Sequence, residues 1–161
     1  MTTVHERVSI EAPYVQAVGA FERRLGIASG QDSGVCVLAL VAPLAEGHAV
    51  ERDVTAHTKR LPGSANYSSK YAIVWAAGRT AHGLPTPGFD GTLTIQAGED
   101  YDACDLDLDG RYDPPGGAVG KLFDEMAGGR IAHATLGSLL DGVRDELHAE
   151  HERTEAGKLA G

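Results

Sequence analysis

Asp105-Leu-Asp-Leu-Asp-Gly-Arg-Tyr-Asp-Pro-Pro-Gly-Gly-Ala-Val-Gly-Lys121 begins like a calcium loop and ends like a phosphate loop. An EF-hand needs oxygen ligands at positions 1, 3, 5 and 9, glycine at 6 and a bidentate glutamate at 12. Asp105, Asp107, Asp109, Gly110 and Asp113 fit, but position 12 is Gly116, and Pro114 and Pro115 stand where the exiting helix should start. A phosphate loop needs a glycine five residues before its Gly-Lys pair and a Ser or Thr after it. Those positions are Pro115 and Leu122. Neither reading holds, and the period supplies a third. Cys104, Leu106, Leu108, Gly110 and Tyr112 alternate with Asp105, Asp107, Asp109, Arg111 and Asp113, the pattern of a half-buried antiparallel strand. The prolines stop it, Gly116 and Gly117 turn the chain, and a helical pattern begins near Ala118.

Working outward, the other elements follow the same two periods. Val4, Glu6, Val8 and Ile10 predict an opening strand. Pro13 suits the start of a helix whose face is Val15, Val18, Phe21 and Leu25, closed by Gly26. After a polar loop to Gly34, strands are expected at 35–42, 48–58, 70–77, 89–97 and 102–113, separated by turn-rich pieces at 60–66 and 82–88. Leu122, Met126, His133, Leu136, Leu140, Val143 and Leu147 form one stripe at helical spacing, interrupted by Gly128 and Gly129, where a kink is expected. The chain divides into one domain over 1–150 and a polar, disordered tail over 151–161. This order makes an α+β domain, in which a curved antiparallel sheet buries its apolar face by wrapping the long terminal helix.

Composition narrows the function classes. A chain of 161 residues is long enough to bury a core, and its net charge of −9 argues against nucleic acid or an anionic membrane as partner. No apolar run reaches the length of a bilayer span, and the first residues lack a secretory core. Cys36 and Cys104 lie in strand-like runs without metal spacing, as free thiols of a cytoplasmic protein do. No metal or cofactor is expected.

Three local signatures carry a family resemblance: Val8-Ser-Ile-Glu-Ala-Pro-Tyr-Val-Gln-Ala-Val18, Leu108-Asp-Gly-Arg-Tyr-Asp-Pro-Pro-Gly-Gly-Ala-Val-Gly120, and Gly129-Arg-Ile-Ala-His-Ala-Thr-Leu-Gly-Ser-Leu-Leu140. With the element order, they make the chain similar to the START-like, or SRPBCC, superfamily, which includes the birch-pollen allergen and polyketide cyclases. The chain departs from that pattern at Gly19, where relatives place a large aromatic. It also departs between Gly26 and Gly34, where no second short helix is evident, and in showing six strands for the family's seven. The resemblance implies a helix-grip fold of six to seven strands around a C-terminal helix. It also implies an apolar cavity between them that holds lipids, sterols, hormones or polyketides, as carrier or as enzyme. Fold alone does not choose.

Alternation nominates the inward polar groups. Arg52 shares a face with Val50, Val54 and Ala56 and is a candidate to hold a ligand carboxylate or enolate. Its other reading is a solvent-facing residue, or one paired with a carboxylate such as Glu6. His133, on the apolar stripe, is the candidate general acid or base, or a core histidine satisfied by one hydrogen bond. Tyr71, Trp75 and Tyr112 fall on inner faces, as packing or as a wall for a flat ligand. The Asp105, Asp107, Asp109 row reads as a solvated outer face that discourages edge pairing. His148 and His151 lie in the polar tail and lack the order of a zinc helix. The leading expectation is a binder of a small apolar or aromatic molecule. A polyketide cyclase- or dehydratase-like enzyme using the same cavity is one alternative, and an interaction module with a filled core is another. The sequence leaves the oligomeric state open.

Overall fold

Cys104–Asp113 is a strand hydrogen-bonded on both sides, as the alternation in the first half of the opening stretch predicts. An EF-hand loop coils round its ion, whereas residues 105–113 are extended. The structure, a computed structural model, describes residues 2–43, 49–62, 66–76, 78–79, 85–86, 88–99, 102–113 and 128–160. The turn expected at 114–117 and the helical pattern through Leu122 and Met126 lie outside them.

The chain runs β1 (Thr2–Ile10), α1 (Tyr14–Arg24), β2 (Ser33–Pro43), β3 (Ala49–Leu61), β4 (Ser68–Trp75), β5 (Gly78–Arg79), β6 (Pro85–Thr86), β7 (Gly88–Ala97), β8 (Cys104–Asp113) and α2 (Gly128–Ala160). Six strands form one antiparallel sheet in the order β1-β8-β7-β4-β3-β2. The two-residue strands β5 and β6 pair separately, within the middle segment where the sequence shows only turns. The protein is therefore α+β, a curved antiparallel sheet gripping a C-terminal helix. Among the described residues, α2 packs chiefly on the two edge strands, β2 and β1, and then on α1. It bears only lightly on the strands between.

Burial follows the alternation. Leu106, Leu108 and Tyr112 of β8, Leu93 and Ile95 of β7, and Tyr71, Ile73 and Trp75 of β4 are buried on the concave face. Leu136, Leu140 and Val143 of α2 complete the core, each worth roughly 1.5–3 kcal/mol of apolar burial. On the convex face Arg7 reaches Asp105 at 3.0 Å and Asp107 at 3.8 Å, Ser9 donates to Asp105 at 2.7 Å, and His5 pairs with Asp109. β8 lies between β1 and β7, so its aspartates do not guard an edge as the sequence reading has it. They hold β1 in register.

Three expectations are corrected. Val15 is 75% exposed, because the buried face of α1 is Ala17, Ala20 and Phe21, and two residues is more than half a helical turn. The expected tail is helical: α2 continues to Ala160, with side-chain contacts from His148 to Glu152 and from Lys158 to Glu155, and with Thr154 donating to the Glu150 carbonyl. Residues 151–158 are all exposed, so this extension packs on nothing described. His133 is the third correction, taken up below. No helix among the described residues is long and apolar enough to cross a membrane.

Candidate functional site

Because α2 rests on the edges of the sheet, space remains between it and the middle strands. A cavity of about 210 Å³ lies there. Ile73 and Trp75 of β4, Phe89 and Leu93 of β7, and Leu108 of β8 supply its floor. Thr135, Leu136, Ser138 and Leu139 of α2 form the roof. Val37, Leu38 and Ala39 of β2, Asp53 of β3 and Arg24 of α1 complete the wall. Val37 on the edge strand β2 is exposed and the Arg24 side chain is 42% exposed, which places the mouth beside the β2 edge. Asp53 alternates with the inward Val54 and turns its carboxylate to the convex face.

The aromatic part of the floor depends on two glycines. Gly91 and Gly110 are partners across β7 and β8, and a Cβ on either would come within 2.5 Å of the Phe89 ring. Their bare backbone lets Phe89 lie against the sheet, stacked on Trp75 with ring centres 4.6 Å apart. Tyr112 meets Phe89 edge-on at 6.4 Å.

Charge beside the mouth comes from the C-terminal end of α1 and the middle of α2. Arg24 Nε lies 3.1 Å from Glu146, and Arg24 Nη2 donates to the Gly142 carbonyl at 3.0 Å. Arg23 lies 3.5 Å from Glu146 and 3.4 Å from Glu150. Sequence reasoning misses Arg24, since a basic residue in the last turn of a helix needs no explanation beyond the helix dipole.

Of the candidates whose side chains are described, Trp75 alone borders the cavity. Tyr71 is fully buried, but its hydroxyl donates to Glu22 Oε1 at 2.9 Å. The same oxygen accepts from Arg60, whose Nε lies at 3.1 Å. Desolvation and then the Glu22 contact push the Tyr71 phenol far above its ordinary range. This network fastens α1 to β3 and β4, away from the cavity wall. Tyr112 is buried, its phenol raised by desolvation, and its hydroxyl has no hydrogen-bond partner among the described residues. Arg52 stands opposite Leu40 in the β2–β3 register, and its side chain lies outside the described residues.

His133 is not an inward histidine. Its side chain is 68% exposed and its Nδ1 lies 3.1 Å from Glu6. At that turn α2 passes over the edge strand β1, where the concave-face residue is Glu6, so the stripe opens to water there. The carboxylate offered by the sequence as an alternative partner for Arg52 is thus engaged by His133. Cys104 is buried and donates to the Ala12 carbonyl at 3.2 Å, and Cys36 is half-buried, with desolvation raising both thiols.

No protein-family model matches the chain, and no curated protein matches it in sequence. Among solved structures, it is similar to TTHA0849 from Thermus thermophilus, at 13% identity over 92% of this chain and 98% of that one, with a TM-score of 0.55. DR_A0006 from Deinococcus radiodurans aligns at 12% identity over 97% and 99% of the two chains, with a TM-score of 0.35. The first likeness is one of fold.

Proposed function

We propose that the chain binds a small apolar or aromatic molecule between the sheet and α2, as START-like proteins do. The observation that carries this reading is the cavity of about 210 Å³ with a stacked Trp75–Phe89 floor. A dry apolar cavity of about 150 Å³ is enough for benzene, and sites for drug-sized ligands run from roughly 300 Å³ upward. The site therefore suits a ligand of one or two rings. An interaction module with a filled core fits this packing less well. The cyclase-like alternative needs an acid or base at the reacting carbon. Among the described residues around the cavity, Asp53 alternates with the inward Val54 and turns its carboxylate to the other face, and His133 lies elsewhere.

The test uses the molecule's single tryptophan, which borders the cavity. Titration with a neutral naphthalene derivative should change Trp75 emission and saturate at one ligand per chain. Leu139→Trp, which fills the roof, should abolish binding seen by calorimetry while the chain stays folded. Unsaturable binding, or binding indifferent to the filled roof, rejects the cavity as the site.

A further inference from the structure

Polar groups at the mouth narrow the ligand further. Arg23 and Arg24 face Glu146 and Glu150, so two positive charges are matched by two negative ones. The charges beside the mouth therefore balance, while the whole chain carries −9. An anionic ligand would find no net attraction at the mouth and would meet the negative field of the whole chain. Arg24 nevertheless keeps hydrogen-bonding capacity. Its Nε is ion-paired with Glu146 and its Nη2 donates to the Gly142 carbonyl, while a guanidinium has five N–H donors. Among the described residues, Nη1 has neither a hydrogen bond nor an ion pair.

Gly142 shows that this placement is built into the helix. A glycine inside a helix weakens it relative to alanine. Here a Cβ would stand 2.7 Å from Cζ of Arg24, so the bare backbone of α2 is what allows the guanidinium to lie against it at the cavity.

Resting on the binding function proposed above, we infer that the ligand is a neutral, flat molecule of one or two rings bearing a carbonyl or hydroxyl oxygen. Its rings lie on Trp75 and Phe89, and its oxygen accepts a hydrogen bond from Arg24. Arg24 is thus the specificity-determining residue of the cavity, seated by Gly142 and Glu146.

Three probes of one shape test this: 2-acetylnaphthalene (neutral, with an acceptor), 2-ethylnaphthalene (neutral, without one) and 2-naphthoate (anionic). The acetyl compound should bind about tenfold tighter than the ethyl compound, the factor that one hydrogen bond supplies. It should also bind tighter than the naphthoate. Arg24→Met, which keeps the stem and removes the donors, should erase the preference for the acetyl over the ethyl compound. Gly142→Ala should do the same by displacing the guanidinium. Equal affinity for the acetyl and ethyl compounds overturns the role of Arg24 while leaving the cavity as a binding site. Tightest binding of naphthoate overturns the neutral class. If none of the three binds, the binding function itself is rejected, and this inference with it.

Discussion

A Cβ on Gly110 would stand 2.5 Å from Cζ of Phe89, a separation that real side chains do not adopt. Gly110 is the glycine that the calcium reading places at its sharp turn, and the structure gives it another role. Together with Gly91 it clears a patch of sheet for an aromatic ring, the close approach that interior strand glycines mark.

Gly110→Ala should therefore cost about 1–3 kcal/mol by overpacking and shift the emission of Trp75, which stacks on Phe89. Phe89→Leu in the same chain should recover part of that loss, because the shorter side chain vacates the space. Chemical denaturation followed by Trp75 fluorescence checks both. A Gly110→Ala protein with unchanged stability and emission would contradict the placement of the ring.

Glu22 binds Tyr71 and Arg60 through one carboxylate oxygen, at a buried junction of α1 with the sheet. Glu22→Ala should cost about 1–3 kcal/mol, since it leaves the Tyr71 hydroxyl buried without its acceptor. Tyr71→Phe should cost less, and the double variant less than the sum of the two. Ligand affinity should be untouched by Tyr71→Phe. A change in affinity would put Tyr71 back in the cavity wall.

The sheet was legible because its signal is local. Alternation needs only neighbours, and β1, β2, β3, β4, β7 and β8 fall on the expected runs. The wrap around α2 could be read from the apolar stripe at Leu136, Leu140 and Val143. Side-chain destinations were less legible because they depend on partners distant in sequence. Tyr71 reads as an inward aromatic, correctly, but its hydroxyl belongs to Glu22, 49 residues away. His133 fits the stripe by spacing, yet Glu6 on an edge strand draws it to the surface. Arg24 carried no signal, since what brings it to the cavity is the missing side chain at Gly142.

The last helix should be anchored by its middle. Leu140→Ala should cost about 2–5 kcal/mol, as a buried large-to-small change does. Removal of residues 153–161 should leave the melting temperature within about 2 °C, because residues 153–158 are exposed and touch no strand. Thermal unfolding of both variants checks the contrast. A large loss on truncation would mean that the end of α2 has a docking surface in the protein.

Two pairs on the convex face predict opposite pH dependences. Asp105 is held below the usual carboxylate range by hydrogen bonds from Ser9 and then Arg7. Its ionised form is favoured by folding, so its contribution is fully present above the ordinary carboxylate value and is lost as pH falls through the depressed one. His5 is raised above its ordinary value by its hydrogen bond to Asp109, then by the charge of that residue. Its protonated form is favoured by folding, so its contribution is complete below about pH 6.5 and disappears as pH rises through the raised value. The stability difference between wild type and Asp105→Asn should accordingly vanish in acid, and that between wild type and His5→Gln should vanish above neutrality. Both are exposed or nearly so, and the differences should shrink with added salt. Urea midpoints from pH 3 to pH 9 at low and high salt measure all of this. If the His5→Gln difference grew with pH, His5 would be favouring its neutral form, and the pairing of β1 with β8 through Asp109 would have to be redrawn.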